Sequence, residues 1–326
     1  MIRKITSLIA YLFIVIPVFS QQSKWQPIND KILSEWAMDI DPNAPLPDYP
    51  RPQMSRENWT NLNGIWQYAI VEKGNKQPGN FQGDILVPYA IESALSGVGK
   101  TVGKDQELWY HRSFEIDREM RRGKLLLHFG AVDWEAEVFI NNKRVGQHQG
   151  GYDPFSFEIS DALISGKTQQ ISIRVWDPTD EGPQPRGKQI NKPHAIWYTP
   201  VTGIWQTVWL ESVADQYISD IRNTADLDKK QIAVHAQVND PKPGQQEVPA
   251  GDPTTFTIQN PKIWAPDNPF LYNIEARLKD GKKELDLVKS YTAMRKISML
   301  PDANGNQRML LNDKFLFQYG PLDQGW

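Results

Sequence analysis

The sequence contains no cysteine, which excludes a disulfide framework and a lipid-modified N-terminal cysteine and leaves packed cores as the source of stability. Its five histidines, His111, His128, His148, His194 and His235, stand far apart without metal-ligand spacing, so no metal site and no cofactor are expected. No phosphate-cradling glycine loop and no G-x-S-x-G elbow occur. Long helical periodicity is missing between Leu62 and Val213, and no apolar run after residue 20 is long enough to span a bilayer. A one-sided charge is missing as well. The 36 basic and 39 acidic residues are interspersed and give a net charge of −3, which argues against a phosphate-tracking surface and so against nucleic acid as a partner.

What is present begins with an export signal. Arg3 and Lys4 precede an apolar run from Ile5 to Phe19, and Val18 and Ser20 are small enough for a cleavage site. Residues 1–20 read as a signal peptide, which implies a periplasmic or extracellular location and no membrane contact after cleavage. Losing Arg3 and Lys4 leaves 34 basic residues against 39 acidic ones, a net −5. Tryptophan is abundant: there are 12, eight of them between Trp59 and Trp209. Large aromatics fill sandwich cores and also offer flat apolar faces to sugar rings.

The prolines at 42, 45, 47, 50 and 52 make residues 21–61 an irregular N-terminal wrap. From Leu62 to about residue 215 the apolar residues alternate with a period of two. Ala136, Val138 and Ile140 interleave with Glu135 and Glu137, Asn141–Lys143 form a turn, and Ile171, Ile173 and Val175 alternate with Ser172 and Arg174. The run Gly203–Glu211 is apolar on both faces and reads as one deeply buried strand. The whole is an antiparallel β-sandwich. Residues 216–300 read as a smaller immunoglobulin-like sandwich. Ile232, Val234, Ala236 and Val238 share one strand face, Phe256 and Ile258 line another, and a Tyr272–Leu278 strand enters a hairpin at Asp280-Gly281. It looks incomplete, because the proline- and glycine-rich stretch Asn239–Asp252 stands where another strand or two would run. Residues 301–326 read as a linker feeding the first strand of a third domain.

Several segments resemble glycoside hydrolase family 2 of the β-galactosidase-like type. They are LNGIW from Leu62, ILVPYAIES from Ile85, LWYHRSFEI from Leu108, the long stretch LHFGAVDWEAEVFINNKRVGQHQGGYDPFSFEISDAL from Leu127, TGIWQTVWLE from Thr202, NPKIWAPDNPFLY from Asn260, and Ala293, Met294 and Arg295. The resemblance covers nearly the whole mature chain. It implies a jelly-roll, galactose-binding-like sandwich over 62–215, the immunoglobulin-like sandwich after it, and the start of a (β/α)8 catalytic barrel from Leu311 that the sequence does not complete. Within that frame Gly150 and Gly151 are expected to supply unusual backbone angles, Trp205 and Trp209 to anchor one side of the core, and Arg295 to donate an ion pair toward the barrel.

In this family both catalytic carboxylates are barrel glutamates, the acid/base one following an asparagine, and the dipeptide Asn-Glu is absent here. Glu135 and Glu137 are read as a solvated strand face, and no catalytic residue is assigned. Asp177 and Asp180 lie in the carboxylate-rich run WDPTDEG, which lacks the regular spacing of a calcium loop and reads as a plain turn. The resemblance places the long loop Asp177–Pro200 over the substrate pocket, with Trp197, Tyr198, Arg186, Lys188 and His194 as candidate sugar contacts and the loop Gly97–Glu107 beside it. The expected partner is carbohydrate, a β-galactoside-like oligosaccharide or polysaccharide, together with the barrel. Three readings stand at this point: the non-catalytic front portion of an exported glycosidase, inactive by itself; a free-standing carbohydrate-binding module; and a truncated product without function.

Overall fold

The computed structural model describes residues 25–239, 248–249 and 253–322. The expected signal peptide, most of the stretch Asn239–Asp252 and the last four residues lie outside them.

The first sandwich is built from β1 (Trp59–Asn61), β2 (Gly64–Glu72), β3 (Gly83–Val87), β4 (Gln106–Glu115), β5 (Lys124–Phe129), β6 (Val132–Asp133), β7 (Glu135–Ile140), β8 (Lys143–Gln149), β9 (Phe155–Glu158), β10 (Thr168–Trp176), β11 (Gly203–Ile204) and β12 (Val208–Val213). One sheet runs β1-β12-β5-β9 and the other β3-β2-β4-β10-β7-β8, all antiparallel. The alternation read from sequence sets the inward faces. Ala136, Val138 and Ile140 on β7 are fully buried, as are Ile171, Ile173 and Val175 on β10. Register then stacks them, with Ile173 lying between Tyr110 of β4 and Val138 of β7. Trp66, Tyr110 and Phe129 are the largest fully buried side chains, and the Trp66 indole N–H is satisfied by the Leu62 carbonyl at 2.9 Å.

The run expected as one strand over Gly203–Glu211 is divided. β11 pairs with β6 and β12 pairs with β5, so Trp205–Thr207 are the crossover between two ladders. β5 and β12 are indeed buried on both faces, for different reasons. Leu125, Leu127, Phe129, Val208 and Leu210 face the core, whereas Leu126, His128, Trp209 and Glu211 lie on the other face, where the N-terminal wrap contacts Glu211.

The second unit contains β13 (Ile218–Asp226), β14 (Gln231–Val238), β15 (Val248–Pro249) and β16 (Thr254–Thr257) in one sheet, with β17 (Tyr272–Asp280) and β18 (Lys283–Thr292) as a separate hairpin. Its core is sparse among the described residues: Met54, Ile218 and Val288 are buried together, with Ile221, Ala236, Ala276 and Leu278 packed around them. Phe256 is 51% exposed. The stretch read as a linker contains a meander of β19 (Ile297–Pro301), β20 (Gln307–Leu311) and β21 (Lys314–Phe315).

A strap from the N-terminal wrap joins the two units. Met54 enters the second core, Ser55 pairs through its backbone with Lys289 of β18 at 2.8 and 2.9 Å, and the buried Arg56 bridges the units. Arg56 donates to Glu211 at 3.0 Å, to both oxygens of Asp286 at 3.0 and 2.8 Å, and to the Ile218 carbonyl at 2.6 Å. Glu211 also accepts from Tyr49, from Arg51 at 3.2 Å and from the Trp209 indole at 3.1 Å. Burial alone would raise the Glu211 carboxyl, but contact with His128 and the charges of Arg51 and Arg56 outweigh it and hold the group well below the usual carboxylate range.

Candidate carbohydrate-contacting loop

The loop between β10 and β11 leaves the sheet at Asp177 and returns at Pro200. Its roots rest on buried polar groups from separate elements. Asp177 accepts from the Thr179 backbone N–H at 2.8 Å and from the Thr202 hydroxyl at 2.9 Å, and the Thr202 N–H donates to Glu92 Oε2 at 2.9 Å. The Gln189 side chain reaches from mid-loop to Asp133, donating at 3.2 Å, while its carbonyl accepts from the Val201 N–H at 2.5 Å. Gln189 thereby fastens the loop's middle to its own exit. Burial pushes the Glu92 and Asp133 carboxyls up to about 8, the neighbouring Asp177 charge adding to both, and burial raises Asp177 as well. Two glycines fit closely here. Gly203, at φ +94°, lies where a Cβ would come within 2.0 Å of the Tyr110 hydroxyl, and a Cβ on Gly151 would be 2.7 Å from Asp133. Of the pair expected to adopt unusual angles, Gly150 does so at φ +142°, whereas Gly151 serves by leaving room.

Above these roots the loop folds on itself as a tongue. The Tyr198 N–H donates to the Lys188 carbonyl at 2.8 Å, the Ile190 N–H to the Tyr198 carbonyl at 3.1 Å, and the Trp197 N–H to the His194 carbonyl at 2.9 Å. This pairing gathers four of the five candidate contacts. The Arg186 guanidinium lies 5.8 Å from the Trp197 ring centroid and the Lys188 ammonium 5.9 Å from that of Tyr198, both within cation–π range. His194 stands apart at the exposed turn, its Nδ1 2.8 Å from the Lys192 carbonyl. The loop Gly97–Glu107 meets the tongue through a Lys104–Glu181 ion pair at 2.8 Å and the end of β10 through a hydrogen bond from the Trp176 indole to the Lys104 carbonyl at 2.7 Å.

Other sequence candidates have structural employment. Glu135 and Glu137 share a face, as expected, but that face is not simply solvated. Arg174 of β10 pairs with both, at 3.4 and 3.0 Å, and with the fully buried Glu107 of β4 at 2.7 Å. Asp177 spends its oxygens on the turn at Thr179 and on Thr202. Among the described residues no group of three or more His, Asp or Glu is arranged to hold a metal ion. Trp205 and Trp209 do face the same way, but toward an open cleft of about 510 Å³ that Tyr49, Arg51 and Tyr152 also line, and neither belongs to the main core. Arg295 is exposed and lies 5.0 Å from the Trp264 ring beside a groove of about 740 Å³. It makes no ion pair among the described residues, and the ion pair that joins the two sandwiches belongs to Arg56. Sequence reasoning missed that arginine, as it missed Glu92, Asp133 and Gln189.

The profile for the sugar binding domain of the family 2 glycosyl hydrolases matches residues 82–213, and a second family 2 profile matches residues 220–295. The chain belongs to glycoside hydrolase family 2. Family 2 relatives include a β-galactosidase of Thermoanaerobacter pseudethanolicus, 26% identical over 60% of this chain and 29% of that protein, and a β-glucuronidase of Paenibacillus borealis, 20% identical over 83% and 50%. Among solved structures, a β-glucuronidase of Lactobacillus rhamnosus superposes with a TM-score of 0.62 at 22% identity, covering 82% of this chain and 49% of that one. A β-glucuronidase of Ruminococcus gnavus, in complex with a C6-substituted uronic isofagomine, does so with a TM-score of 0.61 at 20% identity, covering 84% and 50%. The chain thus spans about half the length of these structures and from 16% to 50% of the curated relatives it matches. The two sandwiches are the family's jelly-roll and immunoglobulin-like domains.

Proposed function

We propose that this chain is the non-catalytic, substrate-facing portion of an exported family 2 glycosidase acting on O-glycosidic bonds, and that its tongue contributes carbohydrate contacts to a site completed by a catalytic barrel. The observation that carries the reading is the tongue itself. A long loop of a sugar-binding-family sandwich is fastened at its root by Gln189, Thr202 and three buried acids, and it presents Trp197 and Tyr198 beside two cations. Fastening a loop before binding removes ordering entropy from the cost of association, and aromatic faces with hydrogen-bonding neighbours suit pyranose rings. Ile297, Met299, Met309, Phe317 and Tyr319 are exposed apolar side chains on and after the β19–β20 hairpin, where Met299 lies opposite Met309; apolar exposure of this kind suits cover by a further domain, which supports the barrel as partner.

Retaining hydrolysis needs two carboxyl groups roughly 5 to 5.5 Å apart, and the acids near the tongue are engaged in holding it. The purified chain should therefore release no aglycone from an aryl β-galactoside or an aryl β-glucuronide above a heat-killed control, yet should shift the NMR signals of an added glycoside. Turnover would overturn the non-catalytic assignment. An unchanged sugar spectrum would overturn the contact assignment.

A further inference from the structure

We propose that the cleft between the N-terminal wrap and the β11–β12 crossover is a second carbohydrate-binding site, separate from the tongue and built for a chain of neutral pyranoses. The proposal does not rest on the tongue's role, since no residue from 177 to 200 lines this cleft.

The first ground is a set of aromatic rings held in advance. The cleft encloses about 510 Å³, within the roughly 300–1,000 Å³ of small-molecule sites. Four rings border it: Tyr49 from the wrap, Tyr152 from the β8–β9 loop, Trp205 from the crossover and Trp209 from β12. Three of them are fixed through their polar atoms. The Trp205 indole donates to the Gly151 carbonyl at 2.7 Å, the Trp209 indole donates to Glu211 at 3.1 Å, and the Tyr49 hydroxyl donates to the same carboxylate. Trp209, at the base, is backed by the His128 ring stacked 4.8 Å away, and Tyr152, 42% exposed, meets Trp205 edge to face at 6.0 Å. The wrap is pinned as well, because the Asn61 amide donates to the Leu46 carbonyl at 2.9 Å and the Asn63 amide to the Pro45 carbonyl at 3.2 Å. Rings and wall set before a ligand arrives reduce the ordering cost of binding.

The second ground is what stands among the rings. Aromatic faces alone would suit any apolar molecule, but the exposed side chains of Asp48 and Gln206 share the lining. A pyranose has the matching division, with C–H faces that lie on an aromatic ring and a rim of hydroxyls that hydrogen-bond. Charge then narrows the class. The two charged side chains of the cleft, Asp48 and Arg51, are opposite in sign, and Arg51 donates to both oxygens of Glu211 at 3.2 Å. The cleft therefore offers no surplus cation to a carboxylate or sulfate, and a neutral sugar chain fits it best.

The test titrates the purified chain with xylotetraose, β-1,4-galactotetraose and a decaproline peptide, followed by ligand-observed NMR. Each titration is repeated in Trp197→Ala, which removes the tongue's principal ring and leaves the cleft to be read alone. In that background at least one oligosaccharide should still bind. Adding Tyr152→Ala should weaken it about tenfold, and adding Gln206→Ala about threefold. Both side chains are exposed, so circular dichroism melts should match the parent. Raising the ionic strength from about 0.01 M to about 1 M, which shortens the Debye length from about 30 Å to about 3 Å, should leave the affinity in place. Oligosaccharide binding that vanishes with Trp197→Ala alone, or that withstands both Tyr152→Ala and Gln206→Ala, overturns the cleft while leaving the tongue's role intact. An affinity that collapses at high salt overturns the neutral class, and binding of decaproline without either oligosaccharide overturns the carbohydrate assignment in favour of a peptide. Failure of both oligosaccharides to bind the parent chain overturns the cleft and the tongue together.

Discussion

The two sandwiches share a chain and an architecture class but not a means of staying folded. The first encloses 27 buried apolar residues in one cluster, whereas the second gathers three among the described residues, and one of those, Met54, comes from the N-terminal strap. What the second lacks in apolar burial is offset by directed contacts: the Ser55–Lys289 backbone pairing and the Arg56 bridge between Asp286 and Glu211. The lesson is that a small unit with a thin core can be completed by a neighbour's segment, with a buried ion network fixing where that segment sits.

The most forceful way to break this comparison is Arg56→Ala. It leaves Asp286 and Glu211 buried without their shared cation, and removing one partner of a buried pair costs about 3–5 kcal/mol. The second sandwich should then unfold in a separate, earlier urea transition, and an unchanged unfolding curve would refute its dependence on the strap. Core truncation comes next. Met54→Ala and Ile173→Ala should each cost about 2–5 kcal/mol, but only the first should uncouple the units, because the cluster around Ile173 is deep enough to absorb the loss. Two-transition fits to circular dichroism would separate the outcomes.

Acidity offers a third contrast. Glu92 and Asp133 hold their protons up to about pH 8 in the folded chain but release them near pH 4 to 5 when unfolded. The folded state then binds more protons between those limits, so their contribution to stability falls as pH rises through that window. Glu211 has the opposite sign. Its stabilisation is present above its ordinary value of 4.5 and is lost as acid protonates it below that. The first sandwich of a Glu92→Gln/Asp133→Asn variant should therefore show a flatter melting temperature between pH 5 and 8 than the parent, while the junction fails only in stronger acid in both. The smallest effect should come from Lys104→Gln. Its ion pair with Glu181 is nearly half exposed on both sides, and such pairs are worth under about 1 kcal/mol, so the urea midpoint should stay within error.

Legibility in the sequence followed the range of the interaction. The inward faces of β7 and β10 are readable because alternation is a local signal: Glu135 and Glu137 mark the side of Ala136 and Val138, and Ile140 continues the same period of two. The β19–β20 hairpin turns through the polar run Asp302–Asn306, and that polarity is what makes the stretch read as a linker in sequence. The Gly203–Glu211 run misled because its two apolar faces have different coverings, the core on one side and the wrap on the other. The trio Glu92, Asp133 and Asp177 left no signal, since only the topology brings those three elements beneath one loop. In the tongue itself, the candidates Arg186, Lys188, Trp197 and Tyr198 were named from sequence, while their pairing depends on backbone contacts between 188–190 and 198 that no local pattern announces.

The strap also sets an order of events. Arg56 is separated from Glu211 by 155 residues and from Asp286 by 230, and contacts across such separations form late, because loop closure must precede their reward. A ribosome delivers Arg56 before either partner exists. The strap must therefore wait, charged and exposed, while the first sandwich assembles around its own local pairings, until the β17–β18 hairpin supplies the second carboxylate that lets it settle. In this chain an early segment is among the last to find its place.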